Sequence, residues 1–238
     1  MDRDSLLENK NNDTVVVYGS GRSLALQTND QWDELRGYDS IGFNWFILQK
    51  WINPSYMIVG DIRPEKKLRF SGKTMSDTYR KYVEYMQDER YRDSLFVAFD
   101  DQIDYLPYGF KEFGHHVVEG SLDFDISNID KMYKNKSRLF AGIDLAMTLG
   151  YKKIILAGVD LYDYRFFWLD HNTTRSPGEP NENPNWAKRG IDKKHPIHKK
   201  IFSWFDENRK LVTKSDSKLY CYNPKSLLLK EQIVHEWK

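Results

Sequence analysis

Cysteine is nearly absent from this chain of 238 residues, with Cys221 standing alone. A single thiol excludes an intrachain disulfide and any multi-cysteine zinc site, and it fits a reducing compartment. An excess of charge is missing too. Thirty-six Lys and Arg against 35 Asp and Glu leave a formal net charge of +1. Bulk binding to nucleic acid or to a membrane surface would show as a basic excess, so neither is expected. No apolar run approaches the ~18 residues of a membrane span. The first 13 residues are polar and contain no hydrophobic stretch, so no signal peptide is expected. Low-complexity disorder is excluded for most of the chain by 40% hydrophobic and 15% aromatic residues.

What is present is an alternation of apolar runs and amphipathic segments. Thr14-Val15-Val16-Val17-Tyr18 is an unbroken β-branched run that ends in Gly19-Ser20-Gly21-Arg22-Ser23. An unbroken run suits a strand buried on both faces of a parallel sheet. Ser40–Asn44, Tyr56–Asp61, Leu95–Phe99, His116–Val118, Lys153–Asp160 and Lys218–Asn223 read as further strands. Met75–Arg90, Ser137–Leu149, His195–Asn208 and Ser226–Trp237 read as helices, with Gly150 placed as a C-terminal cap. Strand and helix in alternation predict a single doubly wound, mainly parallel, Rossmann-like α/β domain over residues 14–238, with residues 1–13 as a flexible tail. Residues 170–194 turn polar, with three prolines, in a stretch too long for an ordinary connection, so a lid over about 163–194 or a disordered loop is expected.

In such folds ligands bind beyond the C-terminal ends of the strands. That rule selects Gly19–Ser23, Asn44–Trp45, Gly60–Asp61, Phe99–Asp101, Gly158–Tyr164 and Tyr222–Pro224. Gly19, Ser20 and Gly21 form either a phosphate-binding loop or a tight strand–helix turn, since the third glycine of a dinucleotide fingerprint and the lysine of a P-loop are missing. Asn44 and Asp61 either meet a sugar or base edge or cap a helix. Asp160, after Gly158, either meets a ribose hydroxyl or caps a turn. Tyr162 and Tyr164 either donate phenolic hydrogen bonds to a leaving phosphate or pack as aromatics. His195 and His198 flank the start of a helix, where a histidine can act as general base. Asp123-Phe124-Asp125 is a DxD string, a low-information match to the metal-holding motif of many glycosyltransferases.

Three of these segments carry a family resemblance. Val15–Leu24, with its Gly-Ser-Gly-Arg-Ser turn, is similar to the first strand and loop of the bacterial sialyltransferases of glycosyltransferase family 42. Leu145–Tyr162 is similar to that family's central helix and strand, and Leu219–Leu228 to its late strand and turn. The likeness spans roughly residues 14–228. It implies a GT-A-like variant fold and inverting transfer of sialic acid, or a related keto acid sugar, from a CMP-sugar donor to an oligosaccharide acceptor, as in lipopolysaccharide or capsule biosynthesis. It implies no cofactor and no metal, with tyrosine hydroxyls stabilising the leaving nucleotide. By the same resemblance His195 is the base and Tyr162 the first leaving-group tyrosine, with Tyr164 standing in for a second that falls on Trp168. Gly19, Ser20, Gly21, Asn44, Asp61, Gly158 and Asp160 line the donor site, and Ser137 and Arg138 contact a phosphate or carboxylate. Ser20, Arg22, Trp45 and Asp61 depart from the family pattern. A homo-oligomer and a cytoplasmic location, with product made at the inner face of the membrane, are expected on the same ground. The glycine loop and the Gly158–Asp160 strand end also resemble archaeal-type hydroxymethylpterin diphosphokinases, which would require ATP and Mg²⁺. A non-catalytic nucleotide-binding protein is the third reading.

Overall fold

The computed structural model describes residues 3–60, 84–100, 115–122, 126–134, 137–161, 167 and 196–238. The strands are β1 (Thr14–Tyr18), β2 (Asp39–Phe43), β3 (Tyr56–Val59), β4 (Leu95–Phe99), β5 (His115–Ser121), β6 (Lys131–Tyr133), β7 (Lys153–Ala157), β8 (Lys218–Cys221) and β9 (His235–Glu236). They form one sheet in the order β6-β5-β4-β3-β2-β1-β7-β8-β9. Every pairing is parallel. The helices are α1 (Arg3–Glu8), α2 (Asn29–Arg36), α3 (Arg138–Thr148), α4 (Pro196–Lys214) and α5 (Leu227–Lys230).

The apolar run of β1 works because both faces of the sheet are covered. Val15 and Val17 join the core that includes Phe140 and Ile143 of α3 and Trp204 of α4. Val16 and Tyr18 join the opposite core, with Trp32 and Leu35 of α2 and with Phe46. Successive side chains on a strand alternate in direction, so one run feeds two cores. Helix starts are chemically marked. Thr28 and Gln31 cap α2 reciprocally, and the Ser137 hydroxyl accepts from the Leu139 N–H at 3.3 Å to open α3. Gly150, at φ +74°, closes α3 as expected of it.

Four readings of the sequence are corrected. Residues 3–13 are tied down, not free. Leu6 is fully buried, the Tyr56 hydroxyl donates to the Leu6 carbonyl at 2.7 Å, and the N–H groups of Asn11 and Asn12 donate to Asp39 Oδ2 at 2.8 and 3.0 Å. The short strand β6 is additional. Helix α4 runs to Lys214, beyond the expected Asn208. The expected helix Ser226–Trp237 is only the turn α5. It is broken at Gln232, at φ 56°, whose N–H donates to Leu229. The chain then turns so that Val234 is buried and His235–Glu236 pair with Tyr220–Cys221. Of the expected helix Met75–Arg90, only the end lies within the described residues, where Glu84–Met86 is helical. Residues 163–194, Phe167 apart, lie outside the described residues. Among the described residues, no helix is long and apolar enough to cross a membrane.

Candidate functional site

Strand order places the site. From β1 the chain moves outward through β2 to β6. Helix α3 then carries it back, and β7 is laid on the other side of β1. The connections leaving β1 and β7 therefore diverge, which is where open α/β sheets form a ligand crevice. The two strand ends there are Gly19–Ser23 and Gly158–Leu161.

The glycine loop is fixed almost point by point. The Gly19 N–H donates to the Ala157 carbonyl at 2.7 Å, and the Gly21 N–H donates to the Gly158 carbonyl at 2.8 Å. The Ser23 N–H and hydroxyl donate to the two oxygens of Asp160 at 2.9 and 2.5 Å. The Ser20 carbonyl accepts from the Phe167 N–H at 3.0 Å. Glycine is required at position 21, since a Cβ there would lie 2.5 Å from Asp160 Oδ2. Three of the loop's N–H groups are thus taken within the protein, which favours the tight-turn reading over an open phosphate nest. Ser20, half-buried at the rim, keeps its N–H and hydroxyl without a partner among the described residues.

Asp160 is 2% exposed. Its Oδ1 accepts from Asn223 Nδ2 at 2.7 Å as well as from Ser23. Asp160 thereby ties the residues after β1 to those after β8. Leu161 follows at φ 58°, an uncommon backbone state for a branched side chain. Gly158 sits at φ +68° against Leu24.

A second group gathers at the ends of β2, β3 and β4. Asn44, at φ 47°, does not cap the turn that follows it. Its Oδ1 accepts from the Gly60 N–H at 3.0 Å and ties β2 to β3. The Arg138 guanidinium lies over the Phe99 ring, 4.6 Å from the centroid, and Lys134 Nζ is 5.4 Å from the same ring. Arg138 also donates to the Lys134 carbonyl at 3.1 Å. Ser137 is the cap of α3, so its hydroxyl oxygen is engaged by the helix it opens. The rim is therefore polarised, with a buried carboxylate under the glycine loop and two cations beside the start of α3.

Asp61, Tyr162, Tyr164, Trp168, His195 and the Asp123–Asp125 pair lie outside the described residues. His198 falls in the first turn of α4. Sequence reasoning missed the roles of Ser23, Asn223, Lys134 and Phe99. The strand-end rule selects three of the four, and Lys134 follows the unforeseen β6. Among the described residues, no three His, Cys, Asp or Glu side chains are grouped as metal ligands.

No family model matches the chain, and no curated protein matches it in sequence. Among solved structures, the fold is similar to that of the monofunctional α-2,3-sialyltransferase Cst-I from Campylobacter jejuni. The TM-score is 0.51 and the identity 16%, over 96% of this chain and 84% of that one. The Rossmann-like fold is thereby shared with a sialyltransferase.

Proposed function

We propose that this chain is a sialyltransferase-like glycosyltransferase that uses a CMP-sugar as donor. The observation that carries the reading is the switch in strand order at β1 and β7, where the Gly19–Ser23 loop meets the Gly158–Leu161 strand end, in a fold similar to that of a sialyltransferase. The polarity of the rim orients the donor. The nucleoside lies along the glycine loop, with Ser20 as its hydrogen-bonding contact and Asn44 offering its amide N–H groups. The phosphate and the sugar carboxylate lie toward Arg138, Lys134 and the start of α3, where the two cations favour anions.

In the transfer, His195 takes the proton of an acceptor hydroxyl as that oxygen bonds the anomeric carbon. The bond from that carbon to the phosphate oxygen breaks, and CMP leaves with the electron pair. Tyr162 and Tyr164 donate to the departing phosphate. A monophosphate leaves with less charge than a diphosphate, so phenols can replace a cation there. The donor is a keto acid sugar, the acceptor a glycan hydroxyl, and the anomeric configuration inverts.

The test is calorimetry of the purified protein with CMP and with CMP-sialic acid in the presence of EDTA, together with release of free sugar over hours. A dissociation constant in the range of about 1 µM to 1 mM is expected. His195→Ala should lower transfer by on the order of 10²–10⁴. No heat and no thermal shift with either ligand would overturn the proposal. ATP consumption that requires Mg²⁺ would replace it with the diphosphokinase reading.

A further inference from the structure

We infer that Asn223 is a positioning residue for the glycine loop, acting through the buried carboxylate of Asp160. Three elements far apart in sequence meet at that carboxylate. Asn223 follows β8, Asp160 follows β7, and Ser23 follows β1. Asn223 Nδ2 donates to Asp160 Oδ1 at 2.7 Å, and the Ser23 hydroxyl donates to the same oxygen at 2.5 Å. The Ser23 N–H donates to Oδ2 at 2.9 Å. All three residues are buried.

The amide of Asn223 is held in one orientation. Its Oδ1 accepts from the Lys225 N–H at 3.0 Å, which leaves Nδ2 for Asp160. The surrounding turn is locked as well. The Ser226 hydroxyl donates to the Val159 carbonyl at 2.6 Å, and the Leu227 N–H donates to the Asp160 carbonyl at 3.3 Å. The turn after β8 therefore grips the residues that grip the loop. Buried carboxylates require hydrogen-bond donors, and here the donors from Ser23 and Asn223 are neutral. Without the Asn223 donor the carboxylate must rotate or admit water. Either motion releases Ser23, and with it the position of Ser20 at the rim.

The identity of the ligand rests on the proposed function, but the coupling of Asn223 to Ser23 does not. Asparagine is specific at this position because one end must accept and the other donate. Asn223→Asp replaces the donor facing Asp160 with an acceptor. Two carboxylates at that separation bond only by sharing a proton. Ser23 and Asn223 bond the Asp160 carboxylate, Gly21 lies against it, and the thiol of Cys221, from β8, feels its charge.

Two measurements test the inference. In Asn223→Leu, amide hydrogen exchange at Ser23 should quicken by about tenfold or more while Val16, in the middle of β1, stays within about twofold. In Asn223→Asp, CMP affinity relative to wild type at the same pH should fall by about tenfold or more at pH ~8 and return to within about threefold at pH ~5. Equal acceleration at Ser23 and Val16, or none at either, would overturn the coupling. So would an affinity ratio that is the same at both pH values. Should Asn223→Leu fail to fold, the Asn223→Asp titration at pH ~5 and ~8 decides alone. Wild-type protein that gives no heat with CMP would refute the proposed function, and the exchange comparison would still decide the coupling.

Discussion

Arg138 rests its guanidinium on the ring of Phe99, with the guanidinium carbon 4.6 Å from the ring centroid, and the backbone of Gly60 passes close beneath it. A Cβ on Gly60 would lie 2.5 Å from Arg138 Nε. The stacking restrains a long, half-buried cationic side chain at the strand ends, where a cation over an aromatic face is favourable. Gly60→Ala should displace the guanidinium without breaking a strand. CMP affinity is expected to fall on the order of tenfold, while the melting midpoint moves by about 4 °C or less. Calorimetry and thermal melts on the same samples check this. Unchanged affinity would remove Arg138 from the site.

Residues 3–13 act as a structural staple at the opposite end of the sheet. Asp39 is 4% exposed and accepts from the N–H groups of Asn11 and Asn12 and from the Tyr151 hydroxyl, the last at 2.8 Å. Deleting residues 1–12 removes the burial of Leu6 and most of the donors to a buried carboxylate. A loss of about 3–5 kcal/mol is expected, read as a shift in urea midpoint at constant slope. Tyr151→Phe removes one donor and should cost about 1–3 kcal/mol. Full stability in the truncated chain would show that this segment does not support the sheet.

Legibility in the sequence followed local chemistry. The run Val15–Tyr18 announced a strand covered on both sides because no polar residue interrupts it, and Ser137 with Gly150 bracketed α3 by cap chemistry. The strand-end rule points to Gly19–Ser23, Asn44, Asp160 and Asn223 from sequence alone. What it could not give was partnership. Whether Asp160 faces a ligand or Ser23 depends on β7 being laid beside β1, a contact across more than a hundred residues. The segment before β1 misled because a single buried side chain, Leu6, anchors an otherwise polar stretch. The end of the chain misled because Ser226 does open a helix, yet Gln232 leaves the helical conformation one turn later. Tertiary pairing with β8 overrides the local propensity there.

Gly158 tests whether the glycine loop and the β7 end form one rigid unit. Its φ of +68° is costly for any side chain, and a Cβ would lie 2.7 Å from Leu24 Cγ. Gly158→Ala therefore combines about 1–2 kcal/mol of backbone strain with displacement of a buried leucine. Its carbonyl also holds the Gly21 N–H. A stability loss of about 2–4 kcal/mol is expected, with CMP affinity falling in parallel. Denaturant melts and calorimetry would show it. A destabilised variant that binds CMP as tightly as wild type would show that the loop keeps its shape without this contact.

Alkaline pH should expose the buried thiol. Burial pushes Cys221 up to about 11 from an ordinary value of 9.0. The fold favours the protonated thiol. Its contribution is therefore complete below pH ~9 and is lost as the pH rises through ~11. Burial also raises the phenols of Tyr56 and Tyr91, which act in the same direction at still higher pH. Stability should decline steadily above pH ~9, with the thiol accounting for about 2–3 kcal/mol by pH ~11. Urea midpoints at pH ~8, 9, 10 and 11 for wild type and Cys221→Ala separate the contributions, because the variant should lose stability less steeply between pH ~9 and ~11. A thiol reagent should react slowly with the native protein at pH ~8 and rapidly in denaturant. Parallel pH curves for the two proteins would mean that the thiolate is as well accommodated in the fold as in the unfolded chain, contrary to a fully buried Cys221.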